Sequence, residues 1–332
     1  MAPDGRREQV LGILRRSRVP LDDDQIADAA QMNRVYVNMI CRQLATDKLI
    51  TRSHGTEGKL VNVAADQDQL ADLGLTTDNW PEDGAPRRRP QSRQRAADRQ
   101  AERIQELITS FADCVTTFEA NQAFPGPSLY FHLRAIERRR GHQTVSSLLD
   151  DNLFLEYVYA VLPAWGMHRM GPMPAKVGDF TQITTALREK APALEQLWPL
   201  RITTLGPPAA REAAAIAWEV IAHAKVSTSR TQIVAGSKFL HHILPDLVPP
   251  IDRQYTFNFF TGQKMVTSDQ AAFLDWFPKL TDIGARCRKP IHEAISRGGF
   301  MATGEAKVID NAIMGLMQRR RSRASEDDRL SP

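Results

Sequence analysis

The chain has 332 residues, and its 42% of hydrophobic residues is ordinary for a globular protein, which excludes a wholly disordered chain. No apolar run approaches the roughly 20 residues that a membrane helix needs, and the N-terminus lacks an apolar signal core, so we expect a cytoplasmic protein with no membrane partner. The net charge of +4 favours a polyanionic partner only mildly, because each domain is close to neutral.

Residues 1–65 predict one small domain of helices followed by a pair of strands. Val10 and Leu14 recur at helical spacing, and the acidic start of DDDQIADAA suits the positive end of a helix dipole. A further helix is expected from about Arg34 to Asp47, after a turn at QMN. The next segment, LITRSHGTEGKLVNV, then predicts a strand, a glycine-containing tip and a second strand.

This order of elements resembles the winged helix-turn-helix family. The resemblance rests on RQLATDKLITR, which looks like the end of a recognition helix that runs into the wing. It implies double-stranded DNA as the partner, contacted at phosphates and base edges. The residues expected to contact DNA are Asn33, Arg34, Tyr36, Asn38 and Arg42 on the helix, with Arg52, His54 and Lys59 on the wing. A protein-interaction module is the alternative, since this fold alone does not determine function.

The rest of the chain predicts a linker, a large helical domain and a tail. Residues 66–100 are rich in Pro, Arg and Gln, which is typical of a basic flexible linker whose arginines could follow phosphates. From 101 to 318 apolar residues recur at helical spacing with short breaks, so we expect an all-helical domain. Residues 319–332 carry mixed charge and predict a disordered tail.

Sequence signatures of common enzymes are missing, and no metal or cofactor is expected. We find no Walker loop, nucleophile elbow, zinc-protease helix, kinase signature or calcium-binding loop. The cysteines, Cys41, Cys114 and Cys287, are far apart in sequence, which favours buried free thiols over a disulfide framework or a zinc site.

The most informative stretch is TQIVAGSKFLHHILPDLVPPIDRQYT, residues 231–256. It predicts a helix start, a turn at Gly236, a second helix that prolines end, and another helix near Asp252. This pattern resembles the helix-hairpin-helix DNA glycosylase superfamily, whose members have a hairpin, then a segment that delivers an essential aspartate, and in the lyases a lysine after the hairpin. Two features depart from the family pattern: only one hairpin glycine is kept, and Lys238 lies closer to Asp252 than expected.

The resemblance implies that Asp252 and Lys238 are catalytic and that Gly236 and Ser237 bind a phosphate through open backbone N–H groups. Asp252 would stabilise the oxocarbenium charge that forms as a glycosidic bond breaks, or activate the attacking water. Lys238, if neutral, could attack the sugar and form a Schiff base. Each residue also has a structural interpretation, since an aspartate after prolines is a good helix N-cap and most lysines are surface residues or phosphate contacts.

Two further stretches, PGPSLYFHLRAIERRR (125–140) and LPAWGMHRMG (162–171), combine aromatic residues with histidine and arginine. Such residues suit a pocket for a flipped base. The residues expected in this base pocket are Tyr130, His132, Trp165, His168 and Arg169. The alternative is that the aromatic residues belong to the core and that the histidines, like His241 and His242, are satisfied structural residues. Residues 125–260 also resemble a set of bacterial proteins without an assigned function.

Together these patterns predict a mainly α protein with a winged helix-turn-helix domain followed by a larger, all-helical helix-hairpin-helix glycosylase-like domain. The expected function is hydrolysis of the N-glycosidic bond of a flipped damaged or modified base in DNA, with a lyase step through Lys238. The DNA could be the host's, as in base excision for DNA repair, or an invading phage's, as in antiviral defence. The alternatives are a non-enzymatic DNA-binding transcriptional regulator with a ligand-binding or dimerising helical domain, and a metal-dependent nuclease.

Overall fold

The computed structural model is mainly helical and divides into two compact units, Met1–Arg87 and Arg88–Pro332. It describes residues 3–17, 19–47, 49–54, 60–65, 90–122, 124–167 and 176–330. Over these described residues the chain forms sixteen α-helices and one three-stranded sheet, which confirms the expected mainly α class.

The smaller unit packs three helices against a small antiparallel sheet. Its elements are α1 (Pro3–Arg16), β1 (Leu21–Asp22), α2 (Asp23–Ala30), α3 (Arg34–Thr46), β2 (Ile50–His54) and β3 (Leu60–Ala64). The strand order is β1-β3-β2, and β2 pairs with β3 along its whole length. A reciprocal cap begins α2, in which Asp22 Oδ1 accepts from the Gln25 N–H at 2.8 Å and Gln25 Oε1 accepts from the Asp22 N–H at 2.9 Å.

The larger unit contains thirteen helices within its described residues. In chain order they are α4 (Pro90–Thr109), α5 (Phe111–Asn121), α6 (Pro127–Arg140), α7 (Val145–Leu149), α8 (Asn152–Leu162), α9 (Phe180–Glu189), α10 (Ala191–Leu197), α11 (Pro207–Ala224), α12 (Ile233–Ile243), α13 (Thr256–Thr261), α14 (Asp269–Arg286), α15 (Arg288–Ser296) and α16 (Glu305–Leu330).

The last helix, α16, forms the centre of the larger unit and packs against α4, α5, α13, α14 and α15. Every residue from Glu305 to Met317 is buried, so this part of the helix is enclosed on all sides. The close approach of α16 to α5 requires Gly315, because a Cβ atom there would lie 1.9 Å from the carbonyl oxygen of Cys114.

The structure differs from the expected linker at its C-terminal end. Helix α4 begins at Pro90, so residues 90–100 are helical rather than part of a flexible linker. Gln100 anchors this helix by donating a hydrogen bond to the carbonyl oxygen of Phe260 at 2.9 Å. The composition could not predict this helix, because the contact that stabilises it is made with a distant residue.

The structure also differs from the expected disordered tail. Helix α16 continues through residues 319–330. Arg320 forms an ion pair with Glu106 of α4, and the guanidinium of Arg321 lies 5.1 Å from the ring centre of Tyr255. Ion pairs and cation–π contacts of this kind hold the basic start of the tail against the helical unit.

The three cysteines are buried free thiols, as the sequence predicts. Burial raises the pKa of the Cys41 thiol to about 12 and that of the Cys287 thiol to about 11, and it also raises the pKa of Cys114. These thiols are therefore protonated and unreactive at neutral pH.

Candidate functional site

A cavity of about 530 Å³ opens in the larger unit between the turn after α8, helix α12, the loop before α13, and α16. Its walls combine aromatic rings with buried charge. The aromatic residues are Phe124, Trp165 and Tyr255. The charged residues are Lys176, Lys238, Arg253, Lys307, Asp252 and Asp310. Four cationic groups face two carboxylates, so the charged residues of the lining carry a formal excess of two positive charges.

Lys238 lies on α12 and lines the cavity. Its Nζ donates a long hydrogen bond of 3.4 Å to the carbonyl oxygen of Trp165 and lies 5.8 Å from the centre of that ring. Burial lowers the pKa of Lys238 below its ordinary value of 10.5, while the charges of Asp252 and Asp310 oppose this shift. A lysine in this setting reaches its neutral, nucleophilic form at a lower pH than an exposed lysine does.

Asp252 lies in the loop between α12 and α13, where Ile251 separates it from Pro249 and Pro250. Its Oδ1 accepts from the Tyr255 N–H at 2.6 Å, and its own N–H donates to Thr256 Oγ1 at 3.3 Å. The carboxylate therefore stabilises the turn into α13, which agrees with the structural interpretation of this residue. Asp252 also lines the cavity and acts electrostatically on Lys238, so the two interpretations are compatible.

Lys307, Asp310 and Asn311 lie within about one turn of one another on α16 and are almost wholly buried. Lys307 Nζ donates to Asp310 Oδ2 at 2.7 Å and to Asn311 Oδ1 at 2.5 Å. Asn311 Nδ2 donates to the carbonyl oxygen of Met301 at 3.2 Å, which fixes the orientation of the amide. Burial raises the pKa of Asp310, and the ammonium of Lys307 opposes that shift. These residues are absent from the sequence-based site.

A signal for this group does exist in the sequence. The run AKVIDNAIMG is apolar except for a lysine, an aspartate three residues later and an asparagine one residue after that. Side chains three and four positions apart face the same side of a helix. Polar residues that share one face of an otherwise apolar helix are expected to bond to one another or to line a site.

Trp165 is positioned by the turn Pro163–Met167, in which Gly166 adopts a φ of 84°. Its indole N–H donates to the carbonyl oxygen of Ser128 at 3.2 Å, and its ring centre lies 6.1 Å from that of Phe124. The side chain is half-buried and lines the cavity. A ring that is held by the protein and partly open to a cavity suits stacking with a planar ligand.

Three fully buried histidines lie beside Lys238 but do not line the cavity. His242 Nδ1 donates to the Lys238 carbonyl oxygen at 2.8 Å. Because a neutral histidine has one N–H, His242 Nε2 then accepts from His132 Nδ1 at 3.0 Å. By the same reasoning, His132 Nε2 accepts from Thr303 Oγ1 at 2.9 Å. Burial lowers the pKa of His242 to about 4 and the pKa values of His132 and His241 well below 6.5. All three are therefore neutral structural residues at neutral pH.

The residues expected in the base pocket are only partly brought together. Trp165 lines the cavity. His132 is buried behind it, and Tyr130 is 56% exposed on α6. The expectation that these two residues line the same pocket as Trp165 is therefore wrong, because the face of α6 that carries His132 turns into the core. His168 and Arg169 lie outside the described residues.

Gly236 and Ser237 lie inside the continuous helix α12, so the prediction of a phosphate-binding hairpin turn at these residues is wrong. The Gly236 N–H donates to the Gln232 carbonyl oxygen at 2.9 Å and is not open. A Cβ at Gly236 would lie 2.4 Å from Ile221 Cγ2, so the glycine permits the close approach of α11 to α12. Ser237 is buried, and its Oγ accepts from the Ile251 N–H at 2.9 Å.

In the smaller unit, α3 presents an exposed polar face. Asn33, Arg34 and Arg42 are exposed, and Arg34 pairs with Asp24 at 2.9 Å near the start of the helix. Tyr36 is half-buried. Asn33, Tyr36 and Arg42 lie along one surface groove of α3, whereas Arg34 and Asp24 do not line it.

Two other residues expected to contact DNA are instead parts of a buried network around Asp23. Arg52 Nη2 donates to both carboxylate oxygens of Asp23, at 2.8 and 3.0 Å, and its side chain is only 9% exposed. Asn38 Nδ2 donates to Asp23 Oδ2 at 2.5 Å. The prediction that Arg52 contacts phosphates from the wing is therefore wrong, since its charge is already neutralised inside the unit. Lys59 and the side chain of His54 lie outside the described residues.

The chain matches no family model, no curated protein and no solved structure. Among the helices of the described residues, none has both the length and the apolar character to cross a membrane. The function must therefore be inferred from the residues of the site and their geometry.

Proposed function

We propose that the larger unit is a DNA N-glycosylase-like enzyme that accepts a flipped base in the cavity and breaks its N-glycosidic bond. The observation that carries this proposal is that Asp252 and Lys238 lie on the walls of one cavity together with Trp165. A volume of about 530 Å³ is sufficient for a nucleobase and its sugar. A base reaches such a site only by leaving the DNA stack, and an aromatic wall compensates for the lost stacking.

In a hydrolytic reaction, a water oxygen forms a bond to the sugar C1′ as the bond from C1′ to the base nitrogen breaks. The base leaves with the electron pair of that bond, and the proton of the water passes to Asp252. The carboxylate also stabilises the positive charge that develops on the sugar. In a lyase reaction, neutral Lys238 Nζ forms the bond to C1′ instead of water, and the base again leaves with the electron pair of the bond that breaks. Nζ then passes one proton to Asp252, the C1′–O4′ bond breaks as O4′ takes up a proton, and the nitrogen and C1′ form a protonated Schiff base.

We infer that the smaller unit is a winged helix-turn-helix domain that binds double-stranded DNA. The element order α1-β1-α2-α3-β2-β3, with β2 and β3 as an antiparallel pair, supports this inference. So does the exposed face of α3, where Asn33 and Arg42 lie along the surface groove. In this proposal the smaller unit retains the protein on DNA, and the larger unit acts on the base.

The proposal does not need a hairpin at Gly236. Membership of the helix-hairpin-helix glycosylase superfamily stays a hypothesis that rests on two supports. One is the segment Pro250-Ile251-Asp252, which brings a carboxylate to the cavity. The other is the helical architecture of the unit that contains it.

Base release tests the proposal. Purified protein is incubated in EDTA with duplex DNA from bacterial hosts and from phages that carry modified bases, free bases are measured by mass spectrometry, and alkali reveals abasic sites. We expect release by the wild type and a loss of at least about 100-fold in Asp252→Asn. Strand cleavage that is lost in Lys238→Ala would identify a lyase. Asp275→Asn, an exposed carboxylate on α14, is the matched control. Intact DNA binding without release from any DNA would reject the proposal.

One observation favours a second function, a DNA-binding regulator whose cavity binds a ligand. Asp252 already makes structural hydrogen bonds in the turn before α13, through the Tyr255 N–H and Thr256 Oγ1. An asparagine Oδ1 can accept the same hydrogen bond from the Tyr255 N–H, so a regulator tolerates Asp252→Asn, whereas a glycosylase loses activity. The regulator also predicts that the smaller unit selects one DNA sequence in a binding competition.

A further inference from the structure

The buried group on α16 has no role in the reaction proposed above. Lys307 Nζ donates to Asp310 and Asn311 and lies 5.2 Å from the ring centre of Phe118 and 5.9 Å from that of Phe124. Its hydrogen bonds and its aromatic surroundings are therefore supplied by the protein. Lys307 neutralises and positions Asp310, and two of its three N–H donors are already used by Asp310 and Asn311.

Asp310 differs from Lys307, because part of its bonding capacity is open. Its Oδ2 accepts from Lys307, whereas no hydrogen bond reaches its Oδ1 within the part of the chain that the structure describes. The residue lines the cavity and is 5% exposed, so the surface that it presents belongs to the cavity wall. A rigidly held carboxylate oxygen on the wall of a cavity is a strong hydrogen-bond acceptor.

The other carboxylate of the cavity adds to this acceptor character. Asp252 uses Oδ1 for the Tyr255 N–H, and in the described residues no hydrogen bond reaches its Oδ2. Lys238 supplies a donor beside them. A ligand that fills these positions must therefore present N–H donors to the carboxylates and can present an acceptor to the ammonium.

Resting on the proposed function, we propose that Asp310 determines the specificity of the cavity and selects bases with an exocyclic amino group, the adenine and cytosine class. A carboxylate accepts from the amino group of cytosine in protein–DNA contacts, and the amino group of adenine offers the same N–H donors. Uracil, thymine and hypoxanthine have a keto oxygen at the equivalent position. That oxygen would face the Asp310 carboxylate without a hydrogen atom between them. Sites with an unpaired buried polar group reject such analogues strongly, so we expect a preference of at least about 100-fold.

The test compares duplexes in which an amino group at one position is replaced by a keto group, with the accompanying change of the adjacent ring nitrogen from acceptor to N–H donor: 5-methylcytosine against thymine, and adenine against hypoxanthine. Binding is measured with 2′-fluoro sugars that resist cleavage, and release with ordinary sugars. The wild type is expected to prefer the amino base in both assays. Asp310→Asn replaces an acceptor by an N–H donor that suits a keto oxygen, so the preference should fall at least about tenfold or reverse. The wild-type ratio tests the proposal even if this variant does not fold, and Asp275→Asn is the matched control.

The outcomes test the role of Asp310 and the glycosylase function separately. Equal binding of amino and keto bases by the wild type overturns the role of Asp310, while base release would leave the glycosylase function standing. An amino preference without release supports the role of Asp310 and rejects the glycosylase. Failure to bind either base rejects both. A titration of free deoxycytidine and deoxyadenosine against deoxyuridine and deoxyinosine tests whether the bound base belongs to DNA or to a free nucleoside. If the protein binds amino nucleosides but not DNA, the selection by Asp310 stands and DNA as the substrate is rejected.

Discussion

Both units bury an aspartate among polar partners, and the two clusters differ in how many of their hydrogen bonds the protein itself makes. In the smaller unit, Asp23 accepts on both oxygens, from Arg52, Asn38 and Asn62. Its partners come from α3, β2 and β3, so this carboxylate ties the sheet to the helices. All of its acceptor positions are used inside the unit, which marks the cluster as structural.

In the larger unit, among the residues that the structure describes, the carboxylates of Asp252 and Asp310 each accept a side-chain hydrogen bond on one oxygen, and Lys238 Nζ makes one long hydrogen bond. Buried polar groups that lack partners cost free energy, and they persist where a ligand completes their bonding. Burial of charge alone therefore does not distinguish a structural cluster from a candidate site. The distinguishing feature that we use is the number of hydrogen-bonding positions that remain open on the wall of a cavity.

The largest effect on stability is expected from Asp23→Ala. This variant leaves the guanidinium of Arg52 buried without a counter-charge, and such a loss lowers the free energy of unfolding by about 3–5 kcal/mol. Denaturation followed by hydrogen exchange would locate the loss in the smaller unit. Asp24→Ala is the control, because the ion pair of Asp24 with Arg34 is exposed and its loss should cost less than about 1 kcal/mol. Equal effects of the two variants would contradict the structural role of the cluster.

A smaller loss is expected from Lys307→Met, although Lys307 is as deeply buried as Asp23. The carboxylate of Asp310 can take up a proton when its partner is removed, because burial already raises its pKa, and it borders a cavity. We expect the free energy of unfolding to fall by about 2 kcal/mol, measured by urea denaturation. Lys289→Met removes an exposed ion pair on α15 and should change little. A loss as large as that of Asp23→Ala would show that the two clusters do not differ in this respect.

The next prediction concerns the pH dependence that Lys238 imposes. Its pKa is lowered in the folded chain, so the unfolded chain binds more protons at this residue at pH values between the folded pKa and 10.5. Stability therefore rises with pH in that window, and below the folded pKa the penalty is complete. Relative to Lys238→Met, the wild type should gain up to about 1.4 kcal/mol per pH unit in urea denaturation at rising pH. Parallel curves for the two proteins would contradict the burial of this charge.

The sequence could predict the parts of the molecule whose signals are local. Apolar residues at helical spacing predicted the helices, and the acidic start of α2 predicted its N-terminus. Asp252 was singled out through the resemblance to the helix-hairpin-helix glycosylases, and Trp165 because aromatic residues grouped with histidine and arginine suit a base pocket. Both residues line the cavity. The residues that contact them in three dimensions could not be predicted from the sequence.

The wrong predictions at Gly236 and Arg52 share a physical cause: the same residue type can serve a local structural or binding role or a role in tertiary packing. Gly236 indicated a turn, yet a glycine also permits two helices to approach closely, and only the packing against Ile221 decides between these uses. Arg52 indicated a phosphate contact, because its partner Asp23 lies 29 residues away in sequence. Lys307 and Asp310 were not singled out from the sequence, because the burial of α16 that encloses them depends on its tertiary packing.

The smallest effect on stability is expected at Arg42, whose exposed charge contrasts with the buried charge of Arg52. Its side chain is exposed on α3, so Arg42→Ala should change the free energy of unfolding by less than about 0.5 kcal/mol. If α3 binds DNA, the same variant weakens binding and lowers the slope of log affinity against log salt by about 1, since one phosphate contact is lost. Arg52→Ala should behave in the opposite way, with a large loss of stability at unchanged salt slope in the fraction that is folded. A salt slope that falls in Arg52→Ala and not in Arg42→Ala would place the DNA contact on the strands and contradict the role of α3.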